Sequence, residues 1–368
     1  MTEPGALAAL LSGQTGWPTT AAEWEQLLAQ ARRASVSARL GYRLAASAPN
    51  EPVPERARTM LESACKASTR VAQAMTLEVR HVERALARNR LPCVLLKGAA
   101  YLCAGLPPAR GRVFGDIDLL VPKADLRVAE GALLGGGWFT SDLTTYNQRY
   151  YREWMHEIPP MTHIARGSVI DLHHTITPPT SAFNVDGDTL LAKIRPIDEQ
   201  ARLWMLQPVD MVLHSAVHLF TEGEFDRGLR DLLDMDDLVR HFETHEPGFW
   251  SDLVARADEL GLQRPLYYAL FHMERLFGPR VPGARRAAID AMCPPWPQRA
   301  LMGWLLTVVL RPNHPSCSSP GDAFVRWLLF VRSHWLRMPL RLLIPHLARK
   351  AWMARFSKKA TLDGVAKA

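Results

Sequence analysis

The spacing of apolar residues along the chain predicts helices at both ends and short strands between them. Residues 21–45 and 55–89 carry apolar side chains at intervals of three and four, which is the period of an amphipathic helix. Between about 93 and 175, short apolar runs alternate with turn residues and short helical stretches. From about residue 195 the helical period returns. The pattern predicts an α+β fold in which helical regions flank a small mixed sheet.

Four segments follow from this pattern and from the distribution of charge. We expect a helical N-terminal region over 1–90, an α/β domain over 91–195, a helical C-terminal domain over 196–320 and a basic amphipathic tail over 321–368. Within the α/β domain, strands are expected at 93–96, 112–121 and 167–174, with a helix over 125–134. Residues 138–165 leave room for two or three further short strands.

The composition narrows the class of protein. With 48% hydrophobic and 22% charged residues among 368, the chain has the values of a globular protein rather than a disordered one. Its five cysteines form no CxxC pair and are odd in number, which argues against a disulfide framework or a cysteine-based zinc site. The first residues lack the basic stretch of a secretory signal. The longest apolar run near the end, Leu301–Leu310, is half as long as the roughly 20 residues of a membrane span. We therefore expect a cytoplasmic protein.

The net charge of +7 is concentrated in the tail. Residues 321–368 contain ten Lys or Arg and two acids, so the rest of the chain is close to neutral. Three interpretations of this tail stay open. It packs on the body with a solvated basic face, it lies on an anionic membrane surface as a peripheral anchor, or it contacts nucleic acid. No nucleic-acid-binding motif supports the last, so nucleic acid is not an expected partner.

Two acids on one predicted strand are the sharpest chemical signal in the sequence. Asp116 and Asp118 alternate with Ile117, so both side chains point to one face of the strand. Two ionised carboxylates this close repel each other unless a cation lies between them, and Mg²⁺ prefers such hard oxygen ligands. A third acid, Asp171, interrupts another apolar strand. Together the three predict a two-metal site for Mg²⁺, with Mn²⁺ as the alternative cation. The competing interpretation is a set of solvated edge-strand acids, with Asp171 capping a turn.

The order of these motifs resembles a known superfamily. Residues 95–98 (LLKG) followed by residues 112–121 (RVFGDIDLLV) are similar to nucleotidyltransferases with the DNA polymerase β-type catalytic fold. The bacterial branch known only as nucleotidyltransferase family protein is the more similar, over about 75–242. The resemblance implies a small mixed sheet with helices, an NTP donor such as ATP, and Mg²⁺-dependent transfer of a nucleoside monophosphate to an unidentified hydroxyl or phosphate acceptor. The alternative is a non-catalytic nucleotide-binding or interaction module of the same fold.

The resemblance also implies roles for individual residues. Asp116 and Asp118 would bind both metals, and Asp171 would be the third carboxylate, which helps to activate the acceptor. Gly98 would be the phosphate-turn glycine, although it is followed by Ala99 where the superfamily has Gly or Ser. Nucleotide binding is therefore assigned to Lys97, Gly98 and Arg112. For Arg112, a phosphate clamp, an ion-pair partner that positions the Asp pair and an ordinary surface arginine all stay open, and Arg110 is a weaker candidate.

Histidines supply the remaining candidates, for an acceptor site. His173 lies two residues after Asp171 and shares its face, although a half-buried strand-end histidine is the alternative. His214 and His218 are four residues apart, a spacing that suits zinc, but no HExxH motif is present. The resemblance implies instead that this helix and the next, with Arg230 and Asp234, form a wall facing the sheet. Plain packing histidines are the third possibility for His214 and His218.

Overall fold

The computed structural model of the chain describes residues 5–47, 53–140, 145–198, 200 and 202–345. The helices within these ranges are α1 (Ala6–Ser12), α2 (Ala21–Arg33), α3 (Ser37–Ala45), α4 (Glu55–Ala87), α5 (Lys97–Cys103), α6 (Leu126–Gly135), α7 (Thr145–Trp154), α8 (Gly187–Leu191), α9 (Pro208–Glu222), α10 (Gly228–His245), α11 (Phe249–Glu259), α12 (Gln263–Phe277), α13 (Gly283–Asp290), α14 (Trp296–Val309) and α15 (Asp322–Arg337). The strands are β1 (Cys93–Leu95), β2 (Asp116–Leu120), β3 (Trp138–Thr140), β4 (Met161–His163), β5 (Val169–His173), β6 (Arg195–Asp198) and β7 (Leu203–Met205).

The strands form one mixed sheet in the order β3-β4-β5-β2-β1-β7-β6. Strand β2 is parallel to β5, and β1 is antiparallel to β2 but parallel to β7. Strand β1 is wholly apolar and buried, and β2 is buried from Ile117 to Leu120, with Asp116 and Asp118 as its two polar residues. The sheet with its helical flanks confirms the predicted α+β class.

Two predictions of secondary structure were wrong in detail. Helix was expected from about residue 195, but β6 and β7 extend the sheet to Met205 before α9 begins. Both strands are short, and β6 contains Pro196, which is tolerated at the sheet edge where that strand lies. The predicted helix over 21–45 is two helices, because the chain turns at Ser35, which has a positive φ of 58°. Such short elements are decided by pairing with distant residues rather than by their own pattern.

Helix α9 is the central helix of the C-terminal part. It packs against α5, α10, α11, α12 and α15, and most of its residues are buried. Because it begins at Pro208 directly after β7, it runs from the sheet into the helical region. This position places its polar side chains between the sheet and α10, where His214 is buried and His218 reaches a pocket.

The predicted basic tail is described only in part. The helix expected over 324–358 begins at Asp322 as α15, ends at Arg337 and is followed by Pro339. Residues 346–358 of that prediction, with their Lys and Arg side chains, lie outside the described residues. Over the ranges given above, no helix is long and apolar enough to cross a membrane.

Candidate active site

The register of two parallel strands brings the three predicted acids together. Asp118 of β2 is the direct neighbour of Asp171 of β5, and Asp116 precedes Asp118 by two residues on the same strand. Residues paired in this way point to the same face of the sheet, with neighbouring strands about 4.8 Å apart. Asp116 is exposed at the start of β2, Asp118 is buried and Asp171 is half-buried. The three carboxylates therefore line one face from solvent into the sheet, although among the described residues they do not form a group of three ligand atoms within 4.8 Å of one another.

Asp118 is held as a carboxylate by two basic side chains. Its Oδ1 lies 3.4 Å from Lys97 Nζ and 3.0 Å from His173 Nε2. Burial alone would raise the pKa of Asp118, but the charge of Lys97 and the His173 hydrogen bond hold that pKa far below its ordinary value. The same pairing outweighs burial at Lys97 and raises the pKa of its ammonium group. Asp118 and Lys97 are therefore both ionised at neutral pH.

Asp171 has no comparable partner. Its Oδ1 is buried and accepts no hydrogen bond within the described part of the chain. Burial, followed by the charges of Glu157 and Asp118, raises the pKa of Asp171 to about 7. Burial is also the main cause of the raised pKa of Glu157. The carboxylates of Asp116, Asp118, Asp171 and Glu157 thus outnumber the basic groups beside them, Lys97 and His173.

The turn between β1 and α5 lies beside these acids. Lys97 has a positive φ of 45°, a conformation that is uncommon for residues other than glycine and costly unless the surroundings enforce it. Gly98 follows in the helix, and a Cβ there would lie 3.1 Å from Arg112 Nε and 3.2 Å from Phe114 Cδ1. The absence of a side chain at Gly98 therefore lets the loop before β2 pack closely on α5. The strained residue of the predicted glycine turn is Lys97 itself.

A pocket opens between this end of the sheet and the helical wall made by α9 and α10. Asp116, Asp118, Lys97 and Gly98 form its sheet side. The opposite side comes from the helices and the loop before α10, so the predicted helical wall does face the acids. That side is lined by Ser215, His218, Arg227, Arg230, Asp231 and Asp234, and Tyr101 of α5 also lines the pocket.

Arg112 is committed to the helical wall rather than to the acids of the sheet. Its guanidinium forms an ion pair with Asp234 of α10. Asp234 also pairs with Arg39 Nη2 at 2.5 Å, and Arg39 Nη1 reaches Asp237 at 2.7 Å. Burial lowers the pKa of Arg112 to about 10. Arg112 therefore holds α10 against the β2 loop, whereas Arg110, the weaker candidate, lies over the Tyr42 ring at 5.0 Å.

The candidate histidines occupy different depths. His173 is buried, and its Nε2 lies between Asp118 and Glu157 Oε2, 3.5 Å from the latter. His214 is buried beneath the pocket, and burial together with the Lys97 charge holds its pKa well below the usual value. His218 is partly exposed, with Nε2 2.8 Å from Glu222 Oε2. Among the described residues, His214 and His218 belong to no group of three metal-ligand atoms within 4.8 Å of each other, so the zinc alternative gains no support.

Three residues of the site were missed in the sequence. Glu157 lies in the irregular segment after α7 and reaches the acids through an isolated bridge to His173. Arg227 is exposed on the pocket wall, and no described acid forms an ion pair with it. Arg39 belongs to an N-terminal helix far from the motifs. The signal available for Glu157 was its place in a polar His156-Glu157 pair directly before a buried Ile158.

Comparison with known proteins adds one finding. A family model described as "Uncharacterised nucleotidyltransferase" matches residues 20–278, about seven tenths of the chain. The matched range contains every residue that lines the pocket, from Lys97 to Asp234. No curated protein and no solved structure matches the chain.

Proposed function

The chain belongs to this family of uncharacterised nucleotidyltransferases, and on that premise we propose a specific reaction. The protein would transfer a nucleoside monophosphate from an NTP to a hydroxyl or phosphate acceptor and release pyrophosphate. The observation that carries the proposal is the alignment of Asp116, Asp118 and Asp171 on one sheet face, beside a pocket whose opposite wall presents Arg227 and Arg230. Phosphoryl transfer requires such positioning of metal-bound phosphates against fixed charges.

The acids fit the divalent cation that this reaction needs. Asp116, Asp118 and Asp171 offer carboxylate oxygens, the donors that Mg²⁺ and Mn²⁺ prefer. The unpartnered Oδ1 of Asp171 and its raised pKa mark the position where positive charge is lacking. When bound there, the cation would neutralise charge on the phosphates and polarise the reacting phosphorus–oxygen bond. Asp171 would also orient an acceptor hydroxyl and accept its proton as the new bond to phosphorus forms.

Basic residues of the pocket supply the contacts for the triphosphate. Arg112 and Arg230 are engaged with Asp234 and Asp231, while Lys97 is paired with Asp118. Arg227 carries no such pairing in the described structure and faces the same pocket. We assign to Arg227 the phosphate contact that the superfamily's serine would make and that Ala99 lacks. His218, fixed by Glu222, lines the wall where the acceptor would enter.

The test is calorimetric binding of the four NTPs with and without Mg²⁺ or Mn²⁺, followed by pyrophosphate release with pooled acceptors. We expect metal-dependent NTP binding by the wild type and none by the Asp116→Ala/Asp118→Ala variant. The exposed Asp188→Asn on α8 is the matched control, since it removes an acid that does not line the pocket. An NTP that binds without metal and is never turned over would favour the non-catalytic module. The absence of NTP binding by the wild type would contradict both the catalytic proposal and the nucleotide-binding module.

The face of the last two described helices supports a second activity, association with an anionic membrane. Helices α14 and α15 pack on each other and expose large apolar side chains, with Trp335 66% and Trp327 55% exposed. Exposed aromatic residues beside Arg and Lys are typical of helices that lie in a membrane interface, and the tail that continues from α15 is strongly basic. The residues of this α14–α15 face are Trp296, Leu301, Trp304, Phe324, Trp327, Phe330, Val331 and Trp335.

Flotation with vesicles tests this activity. We expect the full chain to float with phosphatidylglycerol vesicles at low salt and to remain unbound with phosphatidylcholine. Trp327→Ser/Trp335→Ser should abolish flotation. The matched control is Ile164→Ser, which removes a side chain 80% exposed outside the α14–α15 face. If the protein instead forms a dimer that the double variant dissociates, and no vesicle binds, the face is a contact between copies and the membrane proposal is wrong.

A further inference from the structure

Two histidines and a glutamate converge beside the carboxyl end of β5. The segment after α7 pairs with that strand, since Ile158 donates to Leu172 O at 3.0 Å and His174 donates to His156 O at 2.9 Å. This pairing sets His156 and Glu157 against His173. Glu157 Oε2 lies 3.5 Å from His173 Nε2 and 3.9 Å from His156 Nε2. One ligand atom from each residue lies within 4.8 Å of the other two.

Both histidines of this group have a buried Nδ1 that makes no hydrogen bond within the described structure. His156 is 7% exposed, and its Nε2 lies 3.9 Å from the Glu157 carboxylate, beyond hydrogen-bond distance. Buried polar groups in proteins nearly always have a partner, so a buried imidazole in this position requires an explanation. A cation between Nε2 and the carboxylate would bridge that gap.

A second buried histidine shows what the alternative looks like. His272, the residue compared with His156, is buried and has no hydrogen bond at either ring nitrogen. It packs among aromatic rings, with centroid distances of 6.2 Å to Phe220 and 5.1 Å to Phe271. It belongs to no group of metal-ligand atoms among the described residues. His272 is therefore a core packing residue, and the chain supplies its own comparison for His156.

We propose that His156, Glu157 and His173 bind a transition-metal cation, with Zn²⁺ as the reference ion. Two imidazoles and one carboxylate are the donors that Zn²⁺ and its neighbours prefer, whereas Mg²⁺ favours oxygen donors alone. In the metal-free chain Asp118 Oδ1 is hydrogen-bonded to His173 Nε2 at 3.0 Å, a contact that a cation on this nitrogen would replace. The proposed donors are a different set from the three aspartates and include both histidines. The proposal does not rest on the nucleotidyl transfer reaction.

The experiment is metal titration of the full chain after chelation, with Co²⁺ as a spectroscopic probe for Zn²⁺. We expect one Co²⁺ per chain with the visible absorption of histidine ligation, displaced by Zn²⁺ and not by equimolar Mg²⁺. His156→Ala and Glu157→Gln should each weaken binding at least about 10- to 100-fold, since even outer-shell changes at metal sites have effects of this size. His272→Gln, the matched control, should leave the titration unchanged.

The variants separate this site from the aspartate cluster. Asp171→Asn should change Co²⁺ affinity less than His156→Ala does, and it should leave the histidine absorption in place. If Asp171→Asn abolishes Co²⁺ binding while His156→Ala does not, the cation belongs to the aspartates and the proposal is overturned. Failure of the wild type to bind Co²⁺ or Zn²⁺ would also overturn it. Circular dichroism and the more conservative His156→Gln guard against loss of the fold. Because no nucleotide is added, these results are independent of any failure in NTP transfer.

Discussion

Two buried or half-buried aspartates of this protein have opposite surroundings. Asp210, on α9, is completely buried and accepts bonds from Arg256 Nε at 2.7 Å and Arg256 Nη2 at 3.0 Å. Gln207 Nε2 adds a third bond at 3.0 Å. Asp171, on β5, has a buried Oδ1 with no partner among the described residues, and its neighbours Asp118 and Glu157 are acids. Both aspartates therefore have buried carboxylate oxygens, but only Asp210 has a basic partner.

The difference separates an acid that is paired within the fold from one that, in the proposed function, binds a ligand. The bidentate pair of Arg256 with Asp210 satisfies both charges inside the protein, so nothing further is needed there. Asp171 is left with a deficit of positive charge that only an added cation or proton can remove. The missing partner of a buried acid is thus a better indicator of function than its burial alone.

The largest expected effect is on catalysis by Asp171→Asn. The amide keeps the shape of the side chain but removes the charge that would hold the cation. We expect pyrophosphate release to fall by about 10³-fold, equivalent to roughly 4 kcal/mol of lost transition-state stabilisation. The unfolding midpoint should stay the same or rise, since a repelled charge is removed. Steady-state rates and urea unfolding measure the two quantities. Full activity in this variant would show that Asp171, like Asp210, has no role in catalysis.

The complementary change is Asp210→Ala, which should act on stability alone. It leaves the buried Arg256 with Glu259, 2.7 Å from Nη1, as its remaining carboxylate, so we expect a loss of about 3 kcal/mol, the lower end of the range for a broken buried pair. The NTP affinity of the folded fraction should be unchanged. In the double variant Asp210→Ala/Arg256→Met, no buried charge is left unpaired, so part of the stability should return. A lower NTP affinity in Asp210→Ala, measured where it is fully folded, would contradict this division of roles.

The pH dependence of stability provides a third comparison, in protein freed of metal by a chelator. The pKa of Asp171 is about 7 in the fold against an ordinary value of 3.8, so the unfolded chain loses its proton first as the pH rises. Wild-type stability relative to Asp171→Asn should therefore decrease between these two pH values and be constant above them. We expect a difference on the order of 1–3 kcal/mol after solvent screening. Urea unfolding at several pH values measures this difference. If wild-type stability rises with pH relative to Asp171→Asn, the pKa of Asp171 is not raised by folding.

The smallest effect is expected for an exposed pair. Arg149 and Glu153 on α7 approach to 2.9 Å, but their side chains are 66% and 51% exposed. Arg149→Ala should change the unfolding free energy by less than about 0.5 kcal/mol. Its measurement beside Asp210→Ala, under the same conditions, would show how much of the larger loss is due to burial. A loss similar to that of Asp210→Ala would mean that burial does not govern these pairs.

Strand alternation made part of this site predictable. Asp116 and Asp118 share a face because of the two-residue period, and Asp171 stood out as an acid within an apolar run. The sequence could not show that Asp118 and Asp171 are neighbours, because that depends on the register between β2 and β5. Their roles in metal binding and catalysis remain predictions.

The sequence pattern could not predict site residues that lie outside regular strands and helices or that join the site from distant parts of the chain. Glu157 reaches His173 through an irregular segment, and Arg39 joins Asp234 from a helix whose own period indicates only packing. Strand β7 has three residues and forms because β1 is available beside it. Contacts across long stretches of sequence decided all three, and no local pattern encodes such contacts.

The pairing of Arg39 with Asp234 spans 195 residues of sequence, and this separation affects how the protein is made. At translation rates of about 5–20 residues per second, Asp234 is synthesised roughly 10–40 s after Arg39. During that interval β1 also lacks β7, so the nascent chain exposes an unfinished sheet edge to chaperones and proteases. Limited proteolysis of ribosome-bound chains that end before and after residue 234 would reveal the moment at which protection appears. The pocket is therefore a late product of translation, assembled only when most of its polypeptide has left the ribosome.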